Sequence, residues 1–195
     1  MDILLVAEGK HEFHGALEEL VRRLVPAGTT IARVEKLKMS DPEIGHVSGR
    51  GPRLTRRILS CMRKALQLNC QALVLLIDED GDRERRGFVD EAQKSGVFLV
   101  QRAVGIAIRT FDAWMLADEV AISGVLGKIV ECQPAPEEIG DPKGVFEGLH
   151  AAAGCGMAVH ESYAAIARSA RIEILVKRCE HGFGPFAGRV GRLHD

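Results

Sequence analysis

The sequence predicts an α/β fold with a mainly parallel sheet, helices on both faces of the sheet and a helical C-terminal extension. Two observations lead to this class. Apolar runs of strand length alternate with amphipathic helical segments over residues 3–108, an order that implies β–α–β crossovers. The rest is mostly helical in pattern, apart from a proline-rich stretch at residues 133–142. The 195 residues suit a core at residues 1–118 with an extension at 119–195 packed on it.

The first half of the core predicts two strands and one helix before a long loop. Residues 3–7 form an apolar run that ends at an acidic residue, as expected of a buried strand. Residues 11–25 carry apolar side chains at helical spacing, and a Pro-Ala-Gly sequence follows them. Residues 30–34 are rich in β-branched side chains and predict the second strand. Glycines and prolines in residues 41–52 predict a loop.

The second half of the core contains the strongest strand signal. Residues 54–68 predict a basic amphipathic helix, and residues 72–77 are apolar at every position, which is typical of a central strand. Residues 83–94 predict another helix that ends at a Ser-Gly pair. Residues 97–100 are expected to begin a strand, and residues 106–108 to form a further short one.

Composition and charge narrow the class of protein. Apolar residues make up 46% of the chain and charged residues 27%, which is typical of a globular protein. The formal net charge of −1 gives no global basic field, so nucleic-acid contact would need a local patch. Five scattered cysteines without a C-x-x-C pair argue against zinc and disulfides and favour a cytoplasmic location. No apolar run has the length of a membrane span, and the first residues have the pattern of a strand rather than of a signal peptide. Homo-oligomerisation stays open.

Acidic side chains follow two of the predicted strands. Glu8 follows the first strand, and Asp78, Asp80 and Asp82 follow the strand at residues 72–77. Because ligands collect at the carboxyl ends of parallel strands, these four carboxylates are expected to converge if the strands are neighbours. Like charges raise each other's pKa, and a divalent cation relieves that repulsion. Oxygen ligands suit Mg²⁺, Mn²⁺ or Ca²⁺ rather than zinc, although an acidic turn is also often only a solvated loop.

Several segments together resemble known motifs. Residues 6–12 (VAEGKHE) resemble the first motif of Toprim domains, a Glu-Gly pair after the first strand, and residues 75–82 (LLIDEDGD) resemble their second, Asp-x-Asp. Residues 106–118 (IAIRTFDAWMLAD) and residues 141–143 (DPK) are similar to segments of the small Toprim-like proteins classed as DUF4276. The resemblance covers most of the chain, but many relatives have Glu where this chain has Asp112.

The resemblance implies a Toprim-like fold and a function. Toprim domains bind magnesium during phosphodiester chemistry, and they occur in topoisomerases, primases and the nuclease half of OLD-type ATPases. DUF4276 proteins look like free-standing relatives that are thought to act beside an ATPase in bacterial defence. The expected function is therefore a Mg²⁺- or Mn²⁺-dependent nuclease or related phosphodiester enzyme, with nucleic acid as substrate and an ATPase as partner.

The enzyme hypothesis gives the acidic residues definite roles. The expected metal ligands are Glu8, Asp78, Asp80, Asp82 and Asp112. The last two of these are candidates for a second ion or for a position outside the first ligand set. Glu8 and Glu12 are also catalytic candidates, Glu12 as a general base or a further ligand. Lys143 is a candidate to neutralise charge on the phosphate, with a solvated surface lysine as the alternative.

Basic residues form two groups near these motifs. One group, expected to contact a phosphate backbone, consists of Arg50, Arg53, Arg56 and Arg57. An ordinary charged helix face is the alternative for that group. The second group lies beside the acidic turn and is expected only to balance its charge: Arg83, Arg85 and Arg86.

Two other function classes stay open. The small size and near-neutral charge also suit a non-catalytic Toprim-like interaction subunit that docks on an ATPase. Asp78 and Asp80 also have the spacing of an aspartyl-type phosphatase. Such enzymes usually place that pair after the first strand, whereas this chain has Glu8 there, so the phosphatase ranks third.

Overall fold

The computed structural model describes residues 1–37 and 52–193 of the chain. Its strands are β1 (Asp2–Ala7), β2 (Thr30–Lys36), β3 (Ala72–Asp78) and β4 (Gln101–Ala107). They pair in parallel in the order β2-β1-β3-β4. The predicted α/β class with a parallel sheet is confirmed.

Helices cover both faces of this sheet. Along β1 the side chains alternate, so that Ile3 and Leu5 enter one apolar core while Leu4 and Val6 enter the other. The second core is completed by α2 (Pro52–Gln67) and α3 (Glu84–Lys94). The first core is completed by α1 (Leu17–Leu24) and by the C-terminal helices. The sheet is thus buried on both sides, which explains why its central strands are apolar throughout.

The C-terminal helices follow β4 in close succession. They are α4 (Asp112–Met115), α5 (Glu119–Leu126), α6 (Pro142–Ala153), α7 (Val159–Ser169), α8 (Ile172–Arg178) and α9 (Phe183–Gly191). A 3₁₀ turn, Pro136–Glu138, lies in the proline-rich stretch. The Trp114 ring, 0% exposed, packs edge-on against Phe183 at 5.1 Å and near Phe186 at 5.6 Å. This aromatic cluster joins α4 and α9 to the sheet.

The prediction of two strands between residues 97 and 108 is wrong. One strand, β4 (Gln101–Ala107), lies in that region, and its pairing begins where Gln101 lies opposite Ala72, so residues 97–100 are not part of it. The segment before it is held in a turn by Arg102, whose guanidinium donates to the carbonyls of Ser95 and Phe98. Leu99 is consequently 98% exposed rather than packed in the sheet.

The first predicted helix is broken near its start. Residues Glu12–Ala16 form a π-helical turn before α1, and Gly15 there has a φ of 110°. That backbone conformation is open to glycine and strained for other residues. Within residues 1–37 and 52–193, no helix is both long and apolar enough to cross a membrane.

Candidate metal site at the carboxyl edge of the sheet

The ends of β1 and β3 bring Glu8 beside Asp78. The two strands are parallel neighbours, with Ala7 opposite Leu76. Beyond that pair, the backbone N–H of Asp78 donates a hydrogen bond to Glu8 Oε2 at 3.2 Å. The two acidic motifs are 70 residues apart in the chain, yet they meet because each follows a strand at the same edge.

Glu12 folds back over the turn that follows β1. A methyl group on Gly9 would overlap the Glu12 carboxylate, so glycine at this position leaves the space in which that carboxylate lies. Glu12 is 4% exposed, and its Oε1 atom has no hydrogen-bond partner among the described residues. A buried carboxylate oxygen without a donor is destabilising. A proton or a cation at this atom would relieve that cost.

Burial changes the ionisation of Glu12. Its pKa is raised from 4.5 to about 7, chiefly by burial and further by the negative charges of Asp112 and Glu8. The backbone N–H groups of Glu12 itself and of Gly9 act in the opposite direction. Glu12 is therefore only partly ionised near neutral pH, where an exposed glutamate would be fully charged.

Asp78 has the same environment. Burial raises its pKa well above the ordinary value of 3.8, and the charges of Glu12, Asp80 and Glu8 raise it further. The backbone N–H of Phe111 opposes this shift by donating to Asp78 Oδ1 at 2.8 Å. The inner carboxyls thus repel each other across the end of the sheet, as the sequence predicts for carboxylates that converge.

The acidic turn after β3 directs its side chains to different places. Asp80 has a left-handed backbone (φ 50°) and a 56% exposed side chain, and its charge acts on Asp78. Glu79 is buried and its Oε1 lies 2.5 Å from Arg86 Nε. Asp82 is half-buried and accepts a hydrogen bond of 3.2 Å from the first residue of α3. Of the two predicted ligands in this turn, Asp80 therefore acts on Asp78 through its charge, whereas Asp82 accepts a hydrogen bond at the start of α3.

Arg85 lies inside the acidic cluster. Its Nη1 atom is 2.5 Å from the backbone oxygen of Asp78, 3.3 Å from Asp80 Oδ2 and 3.6 Å from Glu8 Oε2. The side chain is 13% exposed, and its Nε atom is buried without a hydrogen-bond partner in the described part of the chain. The expectation of simple charge balance therefore holds for the contacts of Arg85, but it missed that this guanidinium is placed between the carboxylates.

The charge of Asp112 acts on Glu12 and is not among those that shift the pKa of Asp78. Asp112 begins α4, is 7% exposed, and accepts a hydrogen bond on Oδ1 from the Tyr163 hydroxyl. The His11 ring stacks on Tyr163 with a centroid distance of 4.5 Å. Burial lowers the pKa of His11, against the opposite effect of Asp112. Tyr163 and His11 were not predicted as site residues, because Tyr163, on α7, meets His11 and Asp112 only through tertiary packing.

A cleft opens beside Asp80 at the same edge. It has a volume of about 290 Å³, and its lining includes Asp80, Arg109 and Lys143. Lys143 is 56% exposed, and its Nζ atom lies 3.9 Å from Glu147 Oε1. Arg109 is exposed with a left-handed backbone (φ 63°), and its carbonyl accepts a hydrogen bond from Asp80 N at 3.0 Å. Two cations thus border the cleft that Asp80 lines.

The predicted phosphate-binding arginines that the structure describes, Arg53, Arg56 and Arg57, do not share one surface. Arg57 is 1% exposed because it shares the buried face of α2 with Leu54 and Ile58, so its assignment to a nucleic-acid surface is wrong. Arg53 and Arg56 are exposed on α2. Arg50 lies outside the described residues.

The described carboxylates do not surround one common position. Within residues 1–37 and 52–193, no three His, Cys, Asp or Glu side chains are placed to hold one metal ion together. A scan against protein-family models found no match, and searches of the curated proteins and of the solved structures found none either. The chemistry of the site itself therefore carries the functional argument.

Proposed function

We propose that this chain is a divalent-metal-dependent enzyme that cleaves phosphodiesters, a nuclease of the Toprim-like kind that uses Mg²⁺ or Mn²⁺. One observation carries the proposal: the buried Glu12 carboxylate has an oxygen without a partner and faces the charges of Glu8 and Asp112. Such a cluster is destabilising when it is ionised. A divalent cation would offset the repulsion and bind the free oxygen.

The donor atoms fit a hard cation. Glu8, Asp78 and Asp80 would hold the ion, and Glu12 would be the further ligand or the base. The Arg85 guanidinium lies between Glu8 and Asp80. These two carboxylates would therefore have to move towards the ion once the guanidinium has left. When bound, the metal would act as a Lewis acid, lower the pKa of a bound water and stabilise the leaving oxygen.

The remaining roles belong to the protein's own side chains. Glu12, with a pKa of about 7, is suited to accept a proton near neutral pH. Lys143 and Arg109 border the cleft, where they would bind the phosphate groups of a nucleic acid. Asp112, held by Tyr163, keeps Glu12 in a negative environment.

A non-catalytic interaction subunit is the second candidate. It is favoured by the contacts of Arg85, whose single positive charge lies between the carboxylates of Glu8 and Asp80. An ATPase, the partner that the DUF4276 resemblance implies, would be bound under either proposal, as part of a bacterial defence system. An aspartyl-type phosphatase is less well supported, because such enzymes usually place the Asp-x-Asp pair after the first strand, whereas here Glu8 follows β1 and the pair follows β3.

Calorimetric titration with Mg²⁺ and Mn²⁺ tests the proposal. Wild type should bind the ion saturably, and Asp78→Asn should abolish binding and cleavage of nucleic acids. Asp90→Asn on α3, where the side chain is 52% exposed, is the matched control and should behave as wild type. If wild type fails to bind either ion at millimolar concentration, the free-standing enzyme is refuted and the interaction subunit is favoured.

A further inference from the structure

We infer that Arg85 is a built-in competitor for the metal: its guanidinium occupies the position of a cation between Glu8 and Asp80, and a metal ion must displace it to bind. The inference rests on the proposed metal site and goes beyond it. It assigns a cause to the open arrangement of the carboxylates, and it makes metal affinity depend on a residue that is not a ligand.

The contacts of Arg85 are those of a cation in an oxygen-lined site. A single atom, Nη1, faces oxygen atoms of three residues, Asp78, Asp80 and Glu8, at 2.5, 3.3 and 3.6 Å. Two of these oxygens belong to predicted metal-binding carboxylates. Guanidinium remains protonated at any pH at which the protein is folded. It therefore competes with a metal ion by charge and by position.

The guanidinium of Arg85 is also incompletely hydrogen-bonded. Its Nε atom is buried without a partner among the described residues, and its two carboxylate contacts exceed 3.2 Å. The residue lies in the first turn of α3, where the helix dipole disfavours a cation. Because its one short hydrogen bond is to the backbone oxygen of Asp78 and not to a carboxylate, a doubly charged ion can displace this side chain from Glu8 and Asp80.

The neighbouring Arg86 provides the contrast. Its Nε atom lies 2.5 Å from Glu79 Oε1, outside the set of Glu8, Asp78 and Asp80. Arg86 thus carries the same charge on the same helix turn, but it pairs with an acid that is not a predicted ligand. A general effect of positive charge near the cluster would act through both arginines, whereas competition for the site acts through Arg85 alone.

Magnesium titration by calorimetry at pH 8, on four proteins, tests the inference. Arg85→Met keeps the length of the side chain without its charge, and it should bind Mg²⁺ about tenfold more tightly than wild type, or more. Arg85→Lys retains a competing charge and should show intermediate affinity, whereas Arg86→Met should bind as wild type does. Far-UV circular dichroism of each metal-free protein checks folding, and Arg85→Lys against wild type remains decisive if Arg85→Met does not fold without metal.

The possible results separate the two proposals. Tighter binding by Arg85→Met supports the inference, and so does binding by this variant when wild type shows none. Equal or weaker binding by Arg85→Met, with wild type binding intact, overturns the inference and makes Arg85 a positioning residue that holds the carboxylates in place. Absence of binding in all four proteins overturns the proposed metal site and the inference with it.

Discussion

Replacing Glu12 with glutamine should stabilise the metal-free protein at alkaline pH. Glu12 is 4% exposed, and its Oε1 atom has no hydrogen-bond partner among the described residues. Ionisation of this side chain therefore leaves a charge in a poorly solvated place, next to other negative charges. Glutamine has nearly the same shape and remains neutral at every pH.

The sign and size follow from the pKa of Glu12. Its pKa is about 7 in the folded protein against 4.5 ordinarily, so the folded state holds this proton more tightly than the unfolded state. The stabilisation is complete below pH 4.5 and is lost as the pH rises to 7 and above. At about 1.4 kcal/mol per pKa unit, the loss is on the order of 3 kcal/mol. Glu12→Gln should escape this loss, and Asp78 should then ionise more easily because one repelling charge is gone.

Urea unfolding in a chelating buffer, from pH 5 to pH 8.5, measures the effect. The free energy of unfolding of wild type should fall more steeply with pH than that of Glu12→Gln, and the two proteins should differ most at pH 8.5. Glu180→Gln, at a position where the side chain is 71% exposed, is the control and should follow wild type. Parallel pH profiles for wild type and Glu12→Gln would refute the view that Glu12 is a strained carboxylate.

Three further predictions rest on separate contacts. Magnesium binding at pH 7 should release protons, because Glu12 and Asp78 have raised pKa values, and calorimetry in buffers of different ionisation enthalpy would measure the number released. Asp118→Asn should lower the free energy of unfolding at neutral pH by about 2 kcal/mol. Burial alone would raise the pKa of Asp118, but hydrogen bonds from Arg171 lower it to about 2. Urea unfolding should show the difference between the two proteins shrinking as the pH falls from 3.8 towards 2. Gly105→Ala should lower the melting temperature and cost about 2 kcal/mol, because the added methyl would overlap a ring of α9.

The parallel sheet and the meeting of its acidic motifs could be predicted from sequence. β3 is apolar at six successive positions and buried on both faces, and the crossover rule makes such strands parallel. Glu8 and Asp78 follow two strands of this kind, so their proximity required only that the strands be neighbours. Local pattern and connection rules were sufficient because the parallel pairing of β1 with β3 brings both residues to the same edge of the sheet.

The extent of β4 could not be predicted in the same way. The sequence predicted two short strands at residues 97–100 and 106–108, whereas the single strand Gln101–Ala107 contains Gly105, against which the Phe186 ring packs. The apolar residues Val97 and Leu99 suggested a strand, yet they are 66% and 98% exposed. Both errors concern contacts that the local sequence pattern does not record. One is the packing of α9, from the far end of the chain, against β4, and the other is the folding back of the Arg102 side chain.

The sequence contains a signal for the position of Arg85, but counting charges does not use it. Counting treats Arg85 and Arg86 alike, as neutralising neighbours of an acidic turn. The phase of α3 separates them, because the buried residues Val89 and Ala92 lie four and seven positions after Arg85, on one helical stripe. A cation on the stripe that faces the sheet, in the first turn of a helix and directly after an acidic turn, is directed into the space where carboxylates converge. The same stripe that buries α3 therefore also carries a positive charge into the proposed metal site.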